Sequence, residues 1–275
     1  MWFLDIYSVS PFYLFRAPSH PYGGIILDIQ DAHHYNGVVP KKTTAITQKG
    51  INMDYFDFTG ETTVVDGVRL HQIIATEELP QHGVAAGDIG GYITSKSSLS
   101  GGAWVTPRAI ITNRAVATNG ALVTDNAIIG DDAYLSGGIT IKGNAVIFGS
   151  ARLMGAYTPT RQGIVVSDNA TVGDNATVMT MTDGSTIFIK ENARVCDNAT
   201  VVGGSIVIAD SAAVTGASTV QGMVCVDGDA LLIDNSIASG NNPDEPTHIT
   251  GSAILWEWVY VTEGCFDGST LLPGM

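Results

Sequence analysis

Residues 167–178 read SDNATVGDNATV, a six-residue unit written twice. In each copy a small residue, Ala170 or Ala176, is followed two positions later by an aliphatic one, Val172 or Val178. Alternate residues of a strand point to the same side, so both members of each pair face one direction. The Asp, Asn and Gly residues between the pairs tolerate the left-handed backbone of a sharp corner. The unit therefore predicts one short strand followed by one corner.

The same unit recurs over roughly residues 99–270. The small residues stand at Ala103, Ala109, Ala115, Ala121, Ala127, Ala133, Ala145, Ala151, Ala170, Ala176, Ala193, Ala199, Ser205, Ala212, Ser218, Ala230 and Ser236. A period of six with β-branched residues and corner glycines fits no amphipathic helix. Three units close a triangular coil of about eighteen residues, and each coil pairs with the next one. The length of the repeat region predicts about nine coils.

The pattern aliphatic-x-x-x-small-x resembles the hexapeptide-repeat family of parallel β-helices. The resemblance implies a left-handed coil, which periodicity alone does not show and which runs against the usual right-handed crossover. The expected fold class is all-β: a left-handed parallel β-helix of about nine triangular coils with a small N-terminal β cap.

The chain is expected to divide into an N-terminal extension (1–52), a cap (53–98) and the β-helix (99–275). In the cap, Asp66-Gly67 between two apolar runs predicts a hairpin. The leader of the repeats also resembles that of a YdcK-like group of hexapeptide-repeat proteins from bacteria and their phages. The matching residues are Gly87, Asp88, Gly90, Gly91, Tyr92, Leu99, Ser100, Trp104 and Val105.

Residues 1–52 match neither the cap nor the repeat. The family-like sequence begins at Met53, and Lys49-Gly50 can be encoded by a ribosome-binding sequence at about the right distance from that codon. These features favour an upstream extension with natural translation starting at Met53. The alternative is a genuine, irregular N-terminal arm. The intact mass of the protein from its native host distinguishes the two.

Composition excludes several functions. The net charge is −14, and the only adjacent basic residues are Lys41-Lys42, so a nucleic-acid partner is not expected. The three cysteines have no disulfide or metal spacing, which favours a reducing compartment. The N-terminal run MWFLDIYSVSPFYLF is interrupted by Asp5 and Pro11 and lacks a cleavage pattern, so neither export nor a membrane span is predicted. The expected location is the cytoplasm, or a virion if the chain is phage-encoded.

Catalytic signals are sparse. Carbonic anhydrases of this fold bind zinc with three histidines, whereas the repeat region holds one, His248. The resemblance to acyltransferases of the family implies one histidine as general base beside a projecting loop, and His248 follows the interruption SGNNPDEPTHITGS. No cofactor, no metal and no catalytic residue is predicted for the favoured reading. The alternative is an acyl-CoA-type acyltransferase with His248 as the base.

The outward residues suggest a binding face. The residue between each small and aliphatic pair points outward, and every third one stacks on the same wall. Carrying the register through the interruptions gives one uncharged, β-branched face: Ile110, Ile128, Val146, Val165, Thr182, Thr200, Thr219 and Ile237. A run of this kind exceeds what a monomer usually exposes. The favoured function is therefore a non-catalytic structural or interaction protein that self-associates through this face, with a trimer as the expected assembly.

Overall fold

The computed structural model describes residues 54–156, 163–182, 184–242, 244–268 and, as backbone only, the strands 8–9, 12–13 and 271–272. Contacts divide the chain into two units, Met1–Ile51 and Asn52–Met275. In the first unit β1 (Ser8–Val9) pairs with β2 (Phe12–Tyr13) antiparallel. The prediction that residues 1–52 are a non-native extension lies otherwise outside the described residues.

The second unit is an all-β solenoid of about nine turns, as the repeat predicts. Its strands are short because a corner follows every few residues, and each strand pairs in parallel with its counterparts in the turns before and after. The parallel solenoid is thus confirmed, and its left hand stays a prediction. We name the three walls the first, second and third face, in the order in which the chain visits them.

The first face contains β6 (Trp104–Val105), β9 (Leu122–Val123), β12 (Ile139–Ile141), β15 (Ile164–Val166), β18 (Thr186–Ile189), the second halves of β20 (Thr200–Ile208) and β22 (Thr219–Val226), β25 (Thr247–Ile249) and β28 (Cys265–Phe266). The second face contains β7 (Ile110–Ile111), β10 (Ile128–Ile129), β13 (Val146–Ile147), β16 (Thr171–Val172), β19 (Arg194–Val195), β21 (Ala213–Val214), β23 (Leu231–Leu232), β26 (Ile254–Leu255) and β29 (Leu271–Leu272). The third face contains β8 (Val116–Thr118), β11 (Tyr134–Ser136), β14 (Arg152–Met154), β17 (Thr177–Met179), the first halves of β20 and β22, β24 (Ile237–Gly240) and β27 (Tyr260–Val261).

The core of the solenoid is the column of small and aliphatic residues that the repeat predicts. Ala170, Ala176, Val172 and Val178 are all fully buried, as are their equivalents in the neighbouring turns. Burying such an aliphatic side chain contributes about 1.5–3 kcal/mol. The alanines leave room where three walls converge, and the aliphatic residues fill the interior.

The cap is a hairpin that continues the second face. Strand β3 (Phe56–Val65) pairs antiparallel with β4 (Val68–Ala75), and β4 pairs antiparallel with β5 (Ile89–Ile93). Strand β5 then pairs in parallel with the first strand of the second face. Two 3₁₀ turns, Pro80–His82 and Lys96–Ser98, complete the cap.

The cap closes the N-terminal end of the solenoid. Trp104 points outward from the first turn but is only 2% exposed. The Tyr55 hydroxyl donates a hydrogen bond of 2.8 Å to the Ala103 carbonyl, and burial raises the pKa of Tyr55 well above its usual range. A Cβ on Gly91 would lie 2.3 Å from the Ala109 carbonyl oxygen, so the glycine allows the strand to approach the first turn.

Candidate interaction surfaces

The strand register does not place the eight predicted interface residues on one face, so that grouping is wrong. Ile110, Ile128 and Val146 do stack together, but the next residues in their column are Thr171 and Arg194. In chain order the eight divide into Ile110, Ile128 and Val146 on the second face, Val165 on the first face, Thr182 at a corner, and Thr200, Thr219 and Ile237 on the third face.

The cause is the interruption after Met154. Carrying the period of six through this stretch gives it a wall of its own, whereas the chain leaves the third face and returns to the first face at a single corner. The Gly138 amide donates to the Ala156 carbonyl (3.4 Å), and the Gly163 amide donates to the Gly138 carbonyl (2.8 Å). Both ends of the excursion are thus held by one residue of the preceding turn, and Ile164 begins the first face directly.

All variation in turn length lies at this same corner, between the third and first faces. From the first face to the second and from the second to the third, equivalent residues are always six apart, as from Phe188 to Arg194 and on to Thr200. From the third face to the first the separation is thirteen residues at Arg152 to Val165. We call this the glycine corner, because its residues include Gly101, Gly120, Gly137, Gly138, Gly155, Gly163, Gly203, Gly204, Gly222 and Gly240.

The other two corners are acidic and are bonded from turn to turn. Asp174 has a left-handed backbone (φ 55°), and its carboxylate accepts a 3.2 Å hydrogen bond from the Asp197 amide. Asp197 accepts in turn from Gly216 at 2.9 Å. The corner between the first and second faces has the same bonds. There the backbone amides of Gly143, Glu191, Asp210 and Gly228 donate to the side-chain carboxylates of Asp125, Asp168, Glu191 and Asp210, respectively.

Amide side chains form a second ladder beside these carboxylates. Asn126 donates to Asn144, Asn144 to Asn169 and Asn169 to Asn192, with separations of 3.0–3.2 Å. The backbone amide of the next turn holds the pKa of Asp168 below its usual range. Many acidic residues of the chain therefore stabilise corners. The role of the repeated Asp-Asn pairs is structural, and it requires no bound ligand.

The first face has an uncharged outward column through its middle turns. Its outward residues are Leu122, Thr140, Val165, Phe188, Val207, Cys225, His248 and Cys265. Burial raises the pKa of the Cys225 thiol to about 12, so this group is neutral. Phe188 lies at the centre of the column and is 40% exposed. By contrast, the second face carries Arg194 and the third carries Arg152.

Where more than six residues connect the third face to the first, the chain forms an excursion at the glycine corner, and these excursions border the first face. Thr247 closes the base of the last one: it is fully buried, and its hydroxyl donates to the Ser239 carbonyl at 2.7 Å. A shallow hollow of about 190 Å³ lies further along the same corner, lined by Gly101, Asn119, Ser136, Gly137 and Gly155. Substrate pockets usually enclose about 300–1,000 Å³. The hollow is therefore small for a substrate.

His248, the candidate general base, is the outward residue of β25, directly after the excursion that Thr247 closes. It is half-buried between Cys225 and Cys265 of the adjoining strands. Within the described residues its ring makes no hydrogen bond, so no carboxylate orients it. A general base is normally held by such a partner.

In the described ranges, no three His, Cys, Asp or Glu side chains lie together as metal ligands would. Among those same residues, no helix has the length and apolar character needed to cross a membrane.

Comparison with known proteins gives no match to any family profile, and no curated protein matches the sequence. The resemblance to hexapeptide-repeat and YdcK-like proteins therefore rests on the motif residues alone, and the structure supports its coarser part, a parallel β-solenoid.

Proposed function

We propose that this chain is a non-catalytic structural or interaction protein, of bacterial or phage origin, that associates with copies of itself through the first face. Its place of action is the cytoplasm or a virion. The observation that carries the proposal is the uncharged outward column from Leu122 to Cys225, centred on the exposed Phe188. The expected assembly is a trimer.

The physical argument is the composition of this wall and the exposure of its central residue: Phe188 is 40% exposed, whereas Thr140 and Val165 are already buried within the single chain. Central parts of protein interfaces are depleted in charge and enriched in aromatic side chains, and this column has no charged residue and an aromatic one, Phe188, at its centre. The acidic corner that contains Asp168 and Glu191 borders this wall on one side, and the glycine corner borders it on the other.

The test is the mass in solution of the wild type and of Phe188→Lys, by light scattering after size exclusion. A buried lysine with no anionic partner opposes association, so the variant is expected to dissociate at the first face. Thr200→Lys is the matched control, because Thr200 is the half-buried outward residue of the third face in the same turn. Val146→Lys tests the second face in the same way.

The outcomes are distinct. Dissociation by Phe188→Lys alone supports the proposal. Dissociation by Val146→Lys with Phe188→Lys unaffected assigns the interface to the second face and refutes the first-face assignment. A wild type that is monomeric at all concentrations refutes self-association.

A second candidate function is an acyltransferase with an acyl-CoA-type donor and His248 as general base. It is favoured by one observation: His248 follows an excursion at the corner that borders the first face. Calorimetric titration with acetyl-CoA is the test, with His248→Ala as the variant and His71→Ala in the cap as the control. Binding and transfer that survive His248→Ala, or no binding by the wild type, exclude this function.

A further inference from the structure

A row of side chains beside the first face changes from positive to negative charge. Lys190, Ala209 and Asp227 are its members in three successive turns, at the corner that leads to the second face. The Lys190 amide donates to the Ile208 carbonyl at 3.0 Å, and the Ala209 amide donates to the Val226 carbonyl at 2.9 Å. Each of these carbonyl residues directly precedes the next member of the row. The lysine and the aspartate therefore lie one turn to either side of Ala209.

The outward column of the first face is arranged around the same turn. Its residues in these three turns are Phe188, Val207 and Cys225, in that order. Phe188 is a large and exposed side chain, whereas Cys225 is small and half-buried. Thr140 and Val165, earlier in the column, are buried within the single chain, so its accessible part begins at Phe188. A projecting aromatic ring and a small thiol thus flank Val207 on its two sides.

A wall that binds its own copy needs a two-fold axis. Only then does the same patch lie on both sides of the contact, whereas a ring of three copies joins two different patches of each copy. The axis lies in the plane of the contact. Along the solenoid, it keeps the two copies parallel and places the corner of Lys190 against the glycine corner of the second copy. Along the strands, it makes the copies antiparallel and places their two equivalent corners side by side.

We infer that two copies associate through the first face in antiparallel orientation, about a two-fold axis that runs along the strands in the turn of Val207. This axis places Lys190 of each copy opposite Asp227 of the other, so opposite charges meet twice. It also places the Phe188 ring of each copy over the smaller Cys225 of the other. The inference rests on the proposed function, from which it keeps the first face, and it changes the expected number of copies from three to two.

The ionic groups of the row are accessible to a second copy. The Lys190 side chain is 42% exposed, and its Nζ lies 3.1 Å from Glu191 Oε1. Asp227 is half-buried, and its carboxylate accepts a 3.3 Å hydrogen bond from the Cys225 thiol. Exposed ion pairs add little affinity, but complementary charges fix the register of a contact and oppose the wrong one. The row therefore determines the orientation, and Phe188 supplies the apolar contact.

Charge along the solenoid favours the same orientation. The sequence contains no lysine or arginine after Arg194, whereas acidic residues continue to Asp267. Parallel copies would bring these acidic halves together. Antiparallel copies place the acidic half of one beside the half of the other that contains Lys142, Lys190 and Arg194. Repulsion between like charges is therefore smaller in the antiparallel dimer.

The experiment measures the dissociation constant of the full-length dimer by sedimentation over a concentration series, at low ionic strength where surface charges are least screened. Lys190→Glu alone and Asp227→Lys alone should each raise this constant about tenfold, because each places like charges together twice. An equimolar mixture of the two variants should recover the wild-type value. In the mixed dimer the two introduced charges face each other, as do the two native ones.

Matched controls carry the same changes of charge away from the first face. Arg152→Glu lies on the third face, and Glu257→Lys lies at the corner between the second and third faces. Mixing these two variants should give no recovery beyond the association of each alone. A single chain that carries both Lys190→Glu and Asp227→Lys should form the dimer by itself, which keeps the test available where circular dichroism shows that one single variant is poorly folded.

Recovery on mixing, together with the mass of a dimer, supports the inference. It is overturned by the mass of a trimer, by charge variants that associate as the wild type does, or by a mixture that stays as dissociated as its components. If Phe188→Lys dissociates and mixing gives no recovery, the first face stands and the antiparallel orientation is wrong. A wild type that is monomeric at all concentrations overturns the proposed function and the inference together.

Discussion

The glycine corner makes a sharp prediction about stability, through Gly137. This residue has φ 96°, and a Cβ at its position would lie 1.9 Å from the Gly155 carbonyl oxygen of the next turn. Alanine would suffer the left-handed strain of about 1–2 kcal/mol. It would also force apart two backbones, which costs typically about 1–3 kcal/mol. The loss of unfolded-state entropy returns about 0.4–1 kcal/mol.

Gly137→Ala is therefore expected to destabilise the solenoid by about 2–4 kcal/mol. For a unit of this size the midpoint of thermal unfolding should fall by roughly 5–15 °C. Gly130→Ala is the matched control from the same turn, because the backbone of Gly130 is not left-handed and its nearest neighbour, Thr112 Cγ2, would be 3.5 Å away. The control should be neutral or stabilising by up to about 1 kcal/mol.

Urea and thermal unfolding, followed by circular dichroism, measure both variants. Opposite signs are expected for the two substitutions, so the comparison does not depend on the absolute stability. A Gly137→Ala protein as stable as Gly130→Ala would refute the close approach of the turns at this corner. It would mean that the excursion after Met154 relaxes to accommodate the methyl group.

Two further predictions follow from the ionisable groups. The backbone bond from Glu191 lowers the pKa of Asp168 in the folded state, so its contribution is present above the unfolded value of about 3.9 and is lost as pH falls through the lower folded pKa. Thermal unfolding between pH 2 and 6 should therefore show a smaller acid loss for Asp168→Asn than for the wild type, and equal losses would contradict the ladder. Cys265 is exposed, whereas burial raises the pKa of the Cys225 and Cys196 thiols. Iodoacetamide at neutral pH should alkylate Cys265 first by mass spectrometry, and equally fast labelling of Cys225 would contradict its burial.

The inward half of the fold could be predicted from the sequence. Pairs such as Ala170 and Val172 repeat at a spacing that only a coil of short strands satisfies, and both residues are fully buried. The hairpin at Asp66-Gly67 follows from turn chemistry. These features are local: each depends on neighbours within one turn, so a single sequence contains them.

The assignment of residues to faces failed because it is cumulative. A period of six shows which residues point inward but not which of the three faces they belong to. If it is unknown whether an interruption contains a face of its own, the face assigned to every later residue can be wrong. The sequence does contain a feature that identifies the face that follows an interruption. Paired glycines at Gly101-Gly102 and Gly137-Gly138 mark the third corner, so Gly155 identifies the interruption as the same corner and Ile164 as the start of the first face.

The tolerance of the glycine corner for insertions has a physical cause in the other two corners. There, a side-chain carboxylate such as that of Asp197 receives the backbone amide of the next turn, Gly216, at 2.9 Å. An insertion would separate donor and acceptor, and because this corner is exposed the loss is the net value of the hydrogen bond, about 0.5–1.5 kcal/mol for each one broken.

At the glycine corner, successive turns contact each other through backbone and through side-chain bonds such as Asn119 to Ser136 rather than through carboxylate ladders, and the two ends of an excursion can bond to a single residue, as they do at Gly138. Length can therefore change there without breaking a carboxylate ladder. This places every excursion of the described chain beside the first face, next to the column centred on Phe188. Any partner that binds this wall must also meet these excursions, so shortening one of them is expected to change the affinity of the contact more than the stability of the solenoid.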